Sequence, residues 1–328
     1  MEPDLARVEK ELLRVVASDG EFLTEIASHL ILAGGKRVRP GFSIAAASVL
    51  DPDGAAATTD VIRGGCAVEL VHLGSLYHDD VMDDAITRRS VKSVNAQWGN
   101  LRAILAGDYL LGRSSEIAAE LGTEVAGVLA TTITRLCEGQ ILELESAYHT
   151  DRSIDSYTHS IAGKTSSLLA AACRIGAIVA DLPRPVIDAM TEFGTAYGMA
   201  FQVVDDILDI IATDEQLGKP AGNDLVEGIY TLPVIHSLAD PVVARELRPL
   251  LTPAITTEER DRARDLVRDS EGVTIALDVA RTWADKAAAT LSALPDTPGA
   301  RALRAASDHL IERVAAPLGR KRFSRKPR

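Results

Sequence analysis

The absence of strand patterning constrains this fold more than any other feature. Alternating runs of Val, Ile or Thr bounded by turns are nearly absent, while Ala, Leu, Glu and Arg dominate long segments, which favours helix over strand. The longest predicted helices are apolar around much of their circumference, as is typical of central members of a bundle; they cover 58–83, 122–147, 153–180 and 184–212. The sequence therefore predicts an all-α fold.

The interruptions between these segments are too short to act as domain linkers. We therefore expect one helical domain over residues 1–319, followed by a basic tail over 320–328 with six Lys or Arg in nine positions. The remaining helices are predicted at 4–17, 21–33, 40–50, 99–121, 230–250, 256–269, 272–292 and 297–315. The tail is interpreted as a solvated extension, with a flap over an anionic substrate or a weak contact with anionic lipid as alternatives.

Composition excludes several classes of protein. With 35 Lys+Arg against 47 Asp+Glu the net charge is 35 − 47 = −12, and aromatic residues make up only 4%, which argues against nucleic-acid binding. Three separated cysteines, Cys66, Cys137 and Cys173, form no disulfide framework and are interpreted as core residues.

No signal peptide is evident, and the longest apolar-rich stretch, 168–182, is too short to cross a membrane. We expect a cytoplasmic protein with no transmembrane segment.

Two copies of Asp-Asp-x-x-Asp are the strongest chemical signal. Each places carboxylates four residues apart on one helix face; the six residues are Asp79, Asp80 and Asp83 in the first copy and Asp205, Asp206 and Asp209 in the second. One such cluster could be a solvated helix end. Two clusters inside apolar helices instead favour a hard divalent cation, since Mg²⁺ binds carboxylate and phosphate oxygens.

Cationic side chains near these motifs could hold the phosphates of a substrate. Lys36 and Arg39 lie in a Gly-Gly-Lys-Arg turn, Arg88 and Arg89 follow the first motif, and Lys164, Thr165 and Lys219 stand near other candidate elements. Any one of them could simply be a surface residue. Glu69 and His72 form one Glu-x-x-His pair, and a di-iron site needs two such pairs on different helices.

An ordered series of motifs resembles the trans-isoprenyl diphosphate synthases, the polyprenyl synthetase family, over nearly the whole chain. The motifs in this sequence are Gly34 to Pro40, Glu69 to His72, His78 to Asp83 with Arg88-Arg89, Ala106 to Leu110, Gly139-Gln140, Gly163 to Thr165, Phe201 to Asp209, Gly218 to Pro220, Asp224-Leu225 and Thr231 to Pro233.

The resemblance implies a single-domain bundle of long helices around a central cavity, the isoprenoid synthase fold, in which Mg²⁺ joins both aspartate motifs to an allylic diphosphate. The six motif aspartates would surround the metals. Residues implied to serve the allylic diphosphate are Arg88, Lys164, Thr165, Gln202 and Lys219, and those implied to hold isopentenyl diphosphate are Lys36, Arg39, His72 and Arg89. The catalytic set would be Asp79, Asp80, Asp83, Asp205, Asp206 and Lys164.

Three positions depart from the family pattern. Glu143 stands where many members have Asp, Ile229-Tyr230 stands where many have a Lys, and Ser90 replaces the Gly that commonly follows Arg-Arg. The Ile229 departure removes one phosphate-binding cation. These changes affect details of the allylic site and leave the reaction class as implied.

Product length is predicted from the residues one turn before Asp79. Gly74 and Ser75 are small, as in members that make long products, and would leave room for a prenyl chain of twenty carbons or more. The alternative is that small residues here only permit close packing of helices. We therefore expect an all-trans polyprenyl diphosphate, with a geranylgeranyl or shorter product as the alternative.

Two further functions remain open at the level of the sequence. A terpene cyclase shares an aspartate-rich first motif, but its second motif usually mixes Asn, Ser and Glu. A non-catalytic subunit of a two-component synthase tends to lose aspartates, and here both motifs are complete. The resemblance also implies a homodimer.

Overall fold

The computed structural model of the chain describes residues 1–217 and 220–318. Its α-helices are α1 (Glu2–Val16), α2 (Glu21–Leu32), α3 (Val38–Ala47), α4 (Thr59–Met82), α5 (Val94–Trp98), α6 (Asn100–Glu120), α7 (Thr123–Glu145), α8 (Ile154–Ile161), α9 (Ser167–Val179), α10 (Arg184–Ile211), α11 (Asp214–Leu217), α12 (Asn223–Val226), α13 (Leu232–Ala239), α14 (Pro241–Leu247), α15 (Thr257–Asp269), α16 (Gly272–Thr290) and α17 (Pro298–Leu318). Lys219 and the basic tail lie outside the described residues.

The predicted all-α class is confirmed. Among the described residues, strand structure is limited to one antiparallel pair, β1 (Thr87–Arg88) and β2 (Val91–Lys92). A π-helix covers Ala162–Ser166 and a 3₁₀ helix covers Arg248–Leu250. Within the described part of the chain, no helix is long and apolar enough to cross a membrane.

The chain divides into two compact units. The first unit comprises Met1–Thr134, Leu168–Gly194 and Thr290–Leu303. The second comprises Arg135–Ser167, Thr195–Ala289 and the described chain from Arg304 on. The single domain expected over residues 1–319 stays a prediction.

Helix α4 is the centre of the first unit and packs against α6, α3 and α1. It buries residues around its whole circumference, which agrees with its apolar pattern. Two glycines let neighbouring backbones approach: a Cβ at Gly65 would lie 3.2 Å from Pro40 Cα, and one at Gly74 would lie 3.0 Å from Gly107 O.

The ends of α4 fix the position of the first aspartate motif. Thr58 is the N-cap, and its side chain accepts a hydrogen bond from the Val61 amide at 3.3 Å, as expected of threonine at this position. The helix ends at Met82, so Asp79 and Asp80 lie in its last turn and Asp83 is the residue that caps its C-terminus.

In the second unit, paired glycines bring α7 against the π-helix. A Cβ at Gly139 would lie 2.5 Å from the Lys164 amide nitrogen, and one at Gly163 would lie 2.6 Å from Arg135 O. No side chain larger than hydrogen fits between backbones this close. The contact holds the segment that carries Lys164 and Thr165.

Three details differ from the sequence-based expectations. The helix predicted over 230–250 is interrupted at Asp240, because Pro241 starts the new helix α14 and proline lacks the amide that a continuous helix needs. Helix α7, predicted to be central, leaves Ile141, Leu142 and Leu144 exposed. Cys137 is also exposed, whereas Cys66 and Cys173 are buried as predicted.

Candidate active site

Asp80 is the buried member of the first aspartate motif. It is 0% exposed, and its Oδ1 accepts hydrogen bonds from Arg88 Nε at 2.7 Å and pairs with Arg88 Nη2 at 2.6 Å. Asn95 donates its side-chain amide to the Asp80 carbonyl at 2.8 Å, which anchors the end of α4. Asp79 is half-buried and Asp83 is exposed.

The second oxygen of Asp80 is suited to a metal. Oδ2 is buried and has no hydrogen-bond partner among the described residues. Burial raises the pKa of this carboxyl, while the Arg88 guanidinium opposes that rise. A carboxylate with one oxygen fixed by an arginine and one left over fits a divalent cation that completes its shell with water and phosphate. Within the described ranges, no group of three or more His, Cys, Asp or Glu side chains is arranged so that it could hold a metal ion.

A two-residue hairpin turn places Arg89. Arg89 and Ser90 both have positive φ, 53° and 64°, as the common two-residue hairpin turn requires. Arg89 Nη1 donates to Leu30 O at 2.9 Å and also to Gly34 O. The turn therefore connects the arginine pair after the first motif to the Gly-Gly loop after α2.

Arg37 and Glu69 form a buried ion pair beneath this loop. Arg37 Nη1 donates to Glu69 Oε1 at 3.0 Å, and the two side chains are 3% and 2% exposed. Arg37 also donates to Glu9, and Arg89 Nη2 lies 3.9 Å from Glu69. Glu69 of the Glu-x-x-His pattern is thus engaged in ion pairs with Arg37 and Arg89.

His72 lies on α4 in a strongly cationic environment. Its pKa is held well below the ordinary value, first by burial and then by the charges of Arg39, Arg89, Arg88 and Arg37. Arg39 is half-buried in the first turn of α3, whereas Lys36 is exposed in the loop before it. The first unit therefore brings His72, Arg39, Arg88 and Arg89 together, with Lys36 in the loop beside them.

Asp206 is the buried centre of the second motif. Its Oδ2 accepts a hydrogen bond from the Tyr157 hydroxyl at 2.6 Å, and its Oδ1 accepts one from Gln202 Nε2 at 2.8 Å. Thr165 donates to Gln202 Oε1 at 2.6 Å. Burial raises the pKa of Asp206 to about 7, against the lowering effect of the two hydrogen bonds. The structure thus brings Thr165, Gln202 and Asp206 into one network.

The other two aspartates of this motif have different surroundings. Asp205 pairs with Arg313 of α17 at 3.1 Å, and that guanidinium also lies 5.9 Å from the ring centroid of Phe201. Asp209 is buried, and its Oδ2 accepts from the Asp224 amide at 3.3 Å. In this motif Asp205 forms an ion pair, Asp206 accepts hydrogen bonds from two side chains, and Asp209 accepts one from a backbone amide.

A cavity of about 120 Å³ lies beside Asp206 in the second unit. Its walls carry charged and polar side chains together with Ile229; the lining residues that bear on the chemistry are Glu143, Arg152, Tyr157, Lys164, Thr165, Gln202, Asp206, Asp224 and Glu227. Lys164 Nζ donates to Glu143. Glu143, which departs from the family pattern, thus orients the lysine of the Lys-Thr motif.

The two positions predicted to control product length differ in their packing. Gly74 is buried at the contact with α6, where a Cβ would also lie 3.3 Å from Leu111 Cγ. This packing agrees with the alternative that a small residue permits close helix approach. Ser75 is half-buried, and its hydroxyl donates to His72 O at 2.9 Å.

Arg37, Tyr157 and Arg152 belong to these networks, and the sequence reasoning assigned no role to them. Arg37 stands in a motif that was singled out, but nothing in the sequence indicates which arginine of the loop turns inward. Tyr157 and Arg152 lie 49 and 54 positions before Asp206, so only the fold shows their proximity. The only sequence signal for Tyr157 and Arg152 is that they stand shortly before the Lys164-Thr165 motif.

Comparison with known proteins gives one consistent family. Residues 20–269 match the model of the family described as Polyprenyl synthetase. The nonaprenyl diphosphate synthase of Mycobacterium tuberculosis is 40% identical over 313 residues, covering 94% of this chain and 92% of that protein. The heptaprenyl diphosphate synthase component 2 of Geobacillus stearothermophilus is 40% identical over 293 residues, covering 89% and 90%. The geranylgeranyl pyrophosphate synthase of Corynebacterium glutamicum, solved with calcium and isoprenyl diphosphate, superimposes with a TM-score of 0.83 at 39% identity over 96% of each chain.

Proposed function

The chain belongs to the polyprenyl synthetase family, and from that premise we propose that it elongates an allylic diphosphate with isopentenyl diphosphate to an all-trans polyprenyl diphosphate of the long-chain type. It is a prenyl transferase. The observation that carries the proposal for its site is the polar cavity of the second unit, where a buried aspartate, a lysine, a threonine and a glutamine converge. That combination suits a phosphate and a hard cation together.

Mg²⁺ is proposed as the metal, and when bound it would neutralise the charge that develops on the departing diphosphate. Asp80 has the unpartnered oxygen for such an ion. Lys164, oriented by Glu143, would donate to the leaving phosphate, and Thr165 would hold Gln202 in place. Electrostatic groups fixed in advance stabilise a developing charge better than mobile water does.

The cluster around His72 is proposed to hold isopentenyl diphosphate. Arg39 and Arg89 supply donors there, and the depressed pKa of His72 keeps its ring neutral at pH 7, so that one ring nitrogen donates and the other accepts. As the C–O bond to the allylic diphosphate breaks, the isopentenyl double bond would attack the allylic carbon, and transfer of a proton to the released diphosphate would complete an extension by five carbons. Lys36 is exposed and would act at the mouth of this cluster.

We also propose a homodimer. Leu101, Ile104 and Leu105 form an apolar stripe on one face of α6 and are 73%, 41% and 58% exposed. Exposed apolar patches on otherwise charged proteins commonly mark contacts between chains. The relative named component 2 makes dependence on a second kind of subunit the competing arrangement. The cytoplasmic location stays a prediction.

The function is tested by incubating the pure protein with isopentenyl diphosphate and each allylic diphosphate in turn, with Mg²⁺ or with excess chelator. We expect elongation only with metal, and products longer than the geranylgeranyl chain. A product that stops at geranylgeranyl would support the shorter-chain alternative. A cyclic hydrocarbon would indicate a terpene cyclase, and no product with any primer would contradict the proposal or require a partner subunit.

A further inference from the structure

Arg152 is a buried cation with two donor atoms that no group among the described residues accepts. It precedes α8 and is only 7% exposed. Its Nη1 donates to Tyr230 O at 3.2 Å, and its guanidinium lies 5.6 Å from the centroid of the Tyr157 ring. Among the described residues, Nε and Nη2 have no hydrogen-bond partner. Buried donors without acceptors are costly and rare, so this pair calls for a ligand or ordered water.

The arginine lines the 120 Å³ cavity beside Asp206. The two carboxylates that act on its charge are Glu143 and Asp206. Both have other donors, since Lys164 donates to Glu143, and Tyr157 and Gln202 donate to Asp206. These two carboxylates therefore do not accept a hydrogen bond from Nε or Nη2 of Arg152.

Ile229 lines the same cavity and offers no donor from its side chain. The cation that the sequence comparison expected near this position is absent. A guanidinium can serve a phosphate with two parallel N–H groups, and Nε with Nη2 forms one such pair. Arg152 thus supplies a cation with two parallel donors to the cavity whose wall at position 229 carries an uncharged side chain.

We propose that Arg152 binds a phosphate of the allylic substrate through Nε and Nη2, in place of a cation at position 229. The inference rests on the proposed function for the identity of the substrate. It adds to that function a substrate-binding residue, and it assigns the diphosphate to the wall formed by Arg152 and Ile229.

The test compares Arg152→Gln with the control variant Arg248→Gln. The Arg248 side chain is exposed and donates a hydrogen bond to Thr150, which lies in the loop that carries Arg152. We expect Arg152→Gln to raise the KM for the allylic diphosphate by about tenfold or more, as for loss of a charged hydrogen bond. The KM for isopentenyl diphosphate should stay unchanged. The control should change neither value.

Rescue provides the second arm. Ile229→Lys in the Arg152→Gln background should recover most of the affinity, because it restores a cation to the same cavity. Binding of inorganic diphosphate with Mg²⁺, measured by calorimetry, should weaken in Arg152→Gln and recover in the double variant. If Arg152→Gln does not fold, Arg152→Lys takes its place, with a smaller rise in allylic KM expected.

The proposal is overturned if allylic KM and diphosphate binding stay unchanged in the folded variant, or if both substrates lose affinity equally. A protein that elongates no primer but loses diphosphate affinity in Arg152→Gln would refute the proposed function while supporting the binding role of Arg152. The two failures are therefore distinguishable.

Discussion

At the scale of single residues, Ser75 offers the sharpest test of product length. It lies four positions before Asp79 on α4, hence one turn away on the same face, and it is half-buried. Ser75→Phe should fill the space next to that face and shift the product distribution to shorter chains, measured by sizing the products after complete turnover. An unchanged distribution would show that the side chain at position 75 does not line the space taken by the growing prenyl chain.

Gly74 is the neighbouring position at which a substitution should affect helix packing but not product length. A Cβ there would lie 3.0 Å from Gly107 O, so Gly74→Ala requires the contact between α4 and α6 to give by a few tenths of an ångström. We expect this variant to lose about 1–3 kcal/mol of stability, the usual cost of overpacking, without the shortening of products that we expect from Ser75→Phe. Shorter products from Gly74→Ala at unchanged stability would show that the growing prenyl chain passes Gly74 instead.

His72 predicts a pH dependence of stability. Burial and four arginines lower the pKa of His72 in the folded protein. Below about pH 6.5 the His72 ring is therefore protonated in the unfolded chain while it is still neutral in the folded one. The stability contribution of the neutral ring is therefore present above that pH and declines as pH falls toward the folded pKa, by at most about 1.4 kcal/mol per pH unit.

The measurement is urea unfolding of wild type and His72→Gln between pH 5 and pH 8. Other groups titrate in this range in both proteins, so the difference between the two curves isolates His72. We expect wild type to lose more stability than His72→Gln on acidification. Parallel curves would show that the ring titrates as it does in the unfolded chain.

At the scale of helices, the contact between α7 and the π-helix controls the position of Lys164. Gly139→Ala would put a methyl group 2.5 Å from the Lys164 amide, which forces the backbones apart. We expect a loss of about 1–3 kcal/mol in stability together with weaker allylic binding, because Lys164 and Thr165 move with the segment. Thermal unfolding and allylic KM measure the two effects.

Gly127→Ala on the same helix is the control. Apart from the adjacent residues and backbone of its own helix, no described atom lies within 4 Å of a Cβ at Gly127, so this variant should gain up to about 1 kcal/mol from helix propensity alone. Equal behaviour of the two variants would mean that the glycine contact is not what holds the Lys-Thr segment.

The helices were the most predictable part of the fold, because apolar periodicity carries over long segments. The segment predicted as 58–83 is α4 at Thr59–Met82, and the one predicted as 184–212 is α10 at Arg184–Ile211. The hairpin at Thr87–Lys92 was not predicted, since two-residue strands have no alternation to detect. The π-helix Ala162–Ser166 was not predicted either, because its segment lies inside the stretch 153–180 that the sequence predicts as one continuous helix.

The residue types of the candidate site were predictable, but their pairings were not. Both aspartate motifs stand out in the sequence because acidic residues interrupt apolar helices. That Asp80 pairs with Arg88 could be suspected from a separation of eight residues, whereas Arg37 with Glu69 and Tyr157 with Asp206 join positions 32 and 49 residues apart. Which aspartate of a motif is buried depends on the packing of its helix, and no spacing rule reveals it.

At the scale of the whole molecule, the net charge of −12 does not oppose an anionic substrate. Charges act mainly within about 10 Å at moderate ionic strength, so the local set of groups decides. Around His72 that set is cationic, and beside Asp206 it is acidic with two embedded cations. A divalent ion would compensate the acidic set, in line with a metal-dependent transferase.

The α6 stripe argues for assembly of two copies. Three large apolar side chains at i, i+3 and i+4 point to one side of the helix, and all three are exposed. We expect the wild type to sediment as a dimer and Leu101→Glu/Leu105→Glu to sediment as a monomer with the same helical content. Burying two charges in an interface costs several kcal/mol, enough to dissociate a dimer at micromolar concentration.

Val242→Glu is the matched control, since Val242 is 74% exposed on the short helix α14 and lies outside the stripe. It should leave the sedimentation of the protein unchanged. A double variant that still sediments as a dimer would place the interface elsewhere, and a monomeric wild type would refute the homodimer. If the wild type is a monomer that gains activity only with a second kind of subunit, the stripe on α6 becomes the first surface to test for that contact.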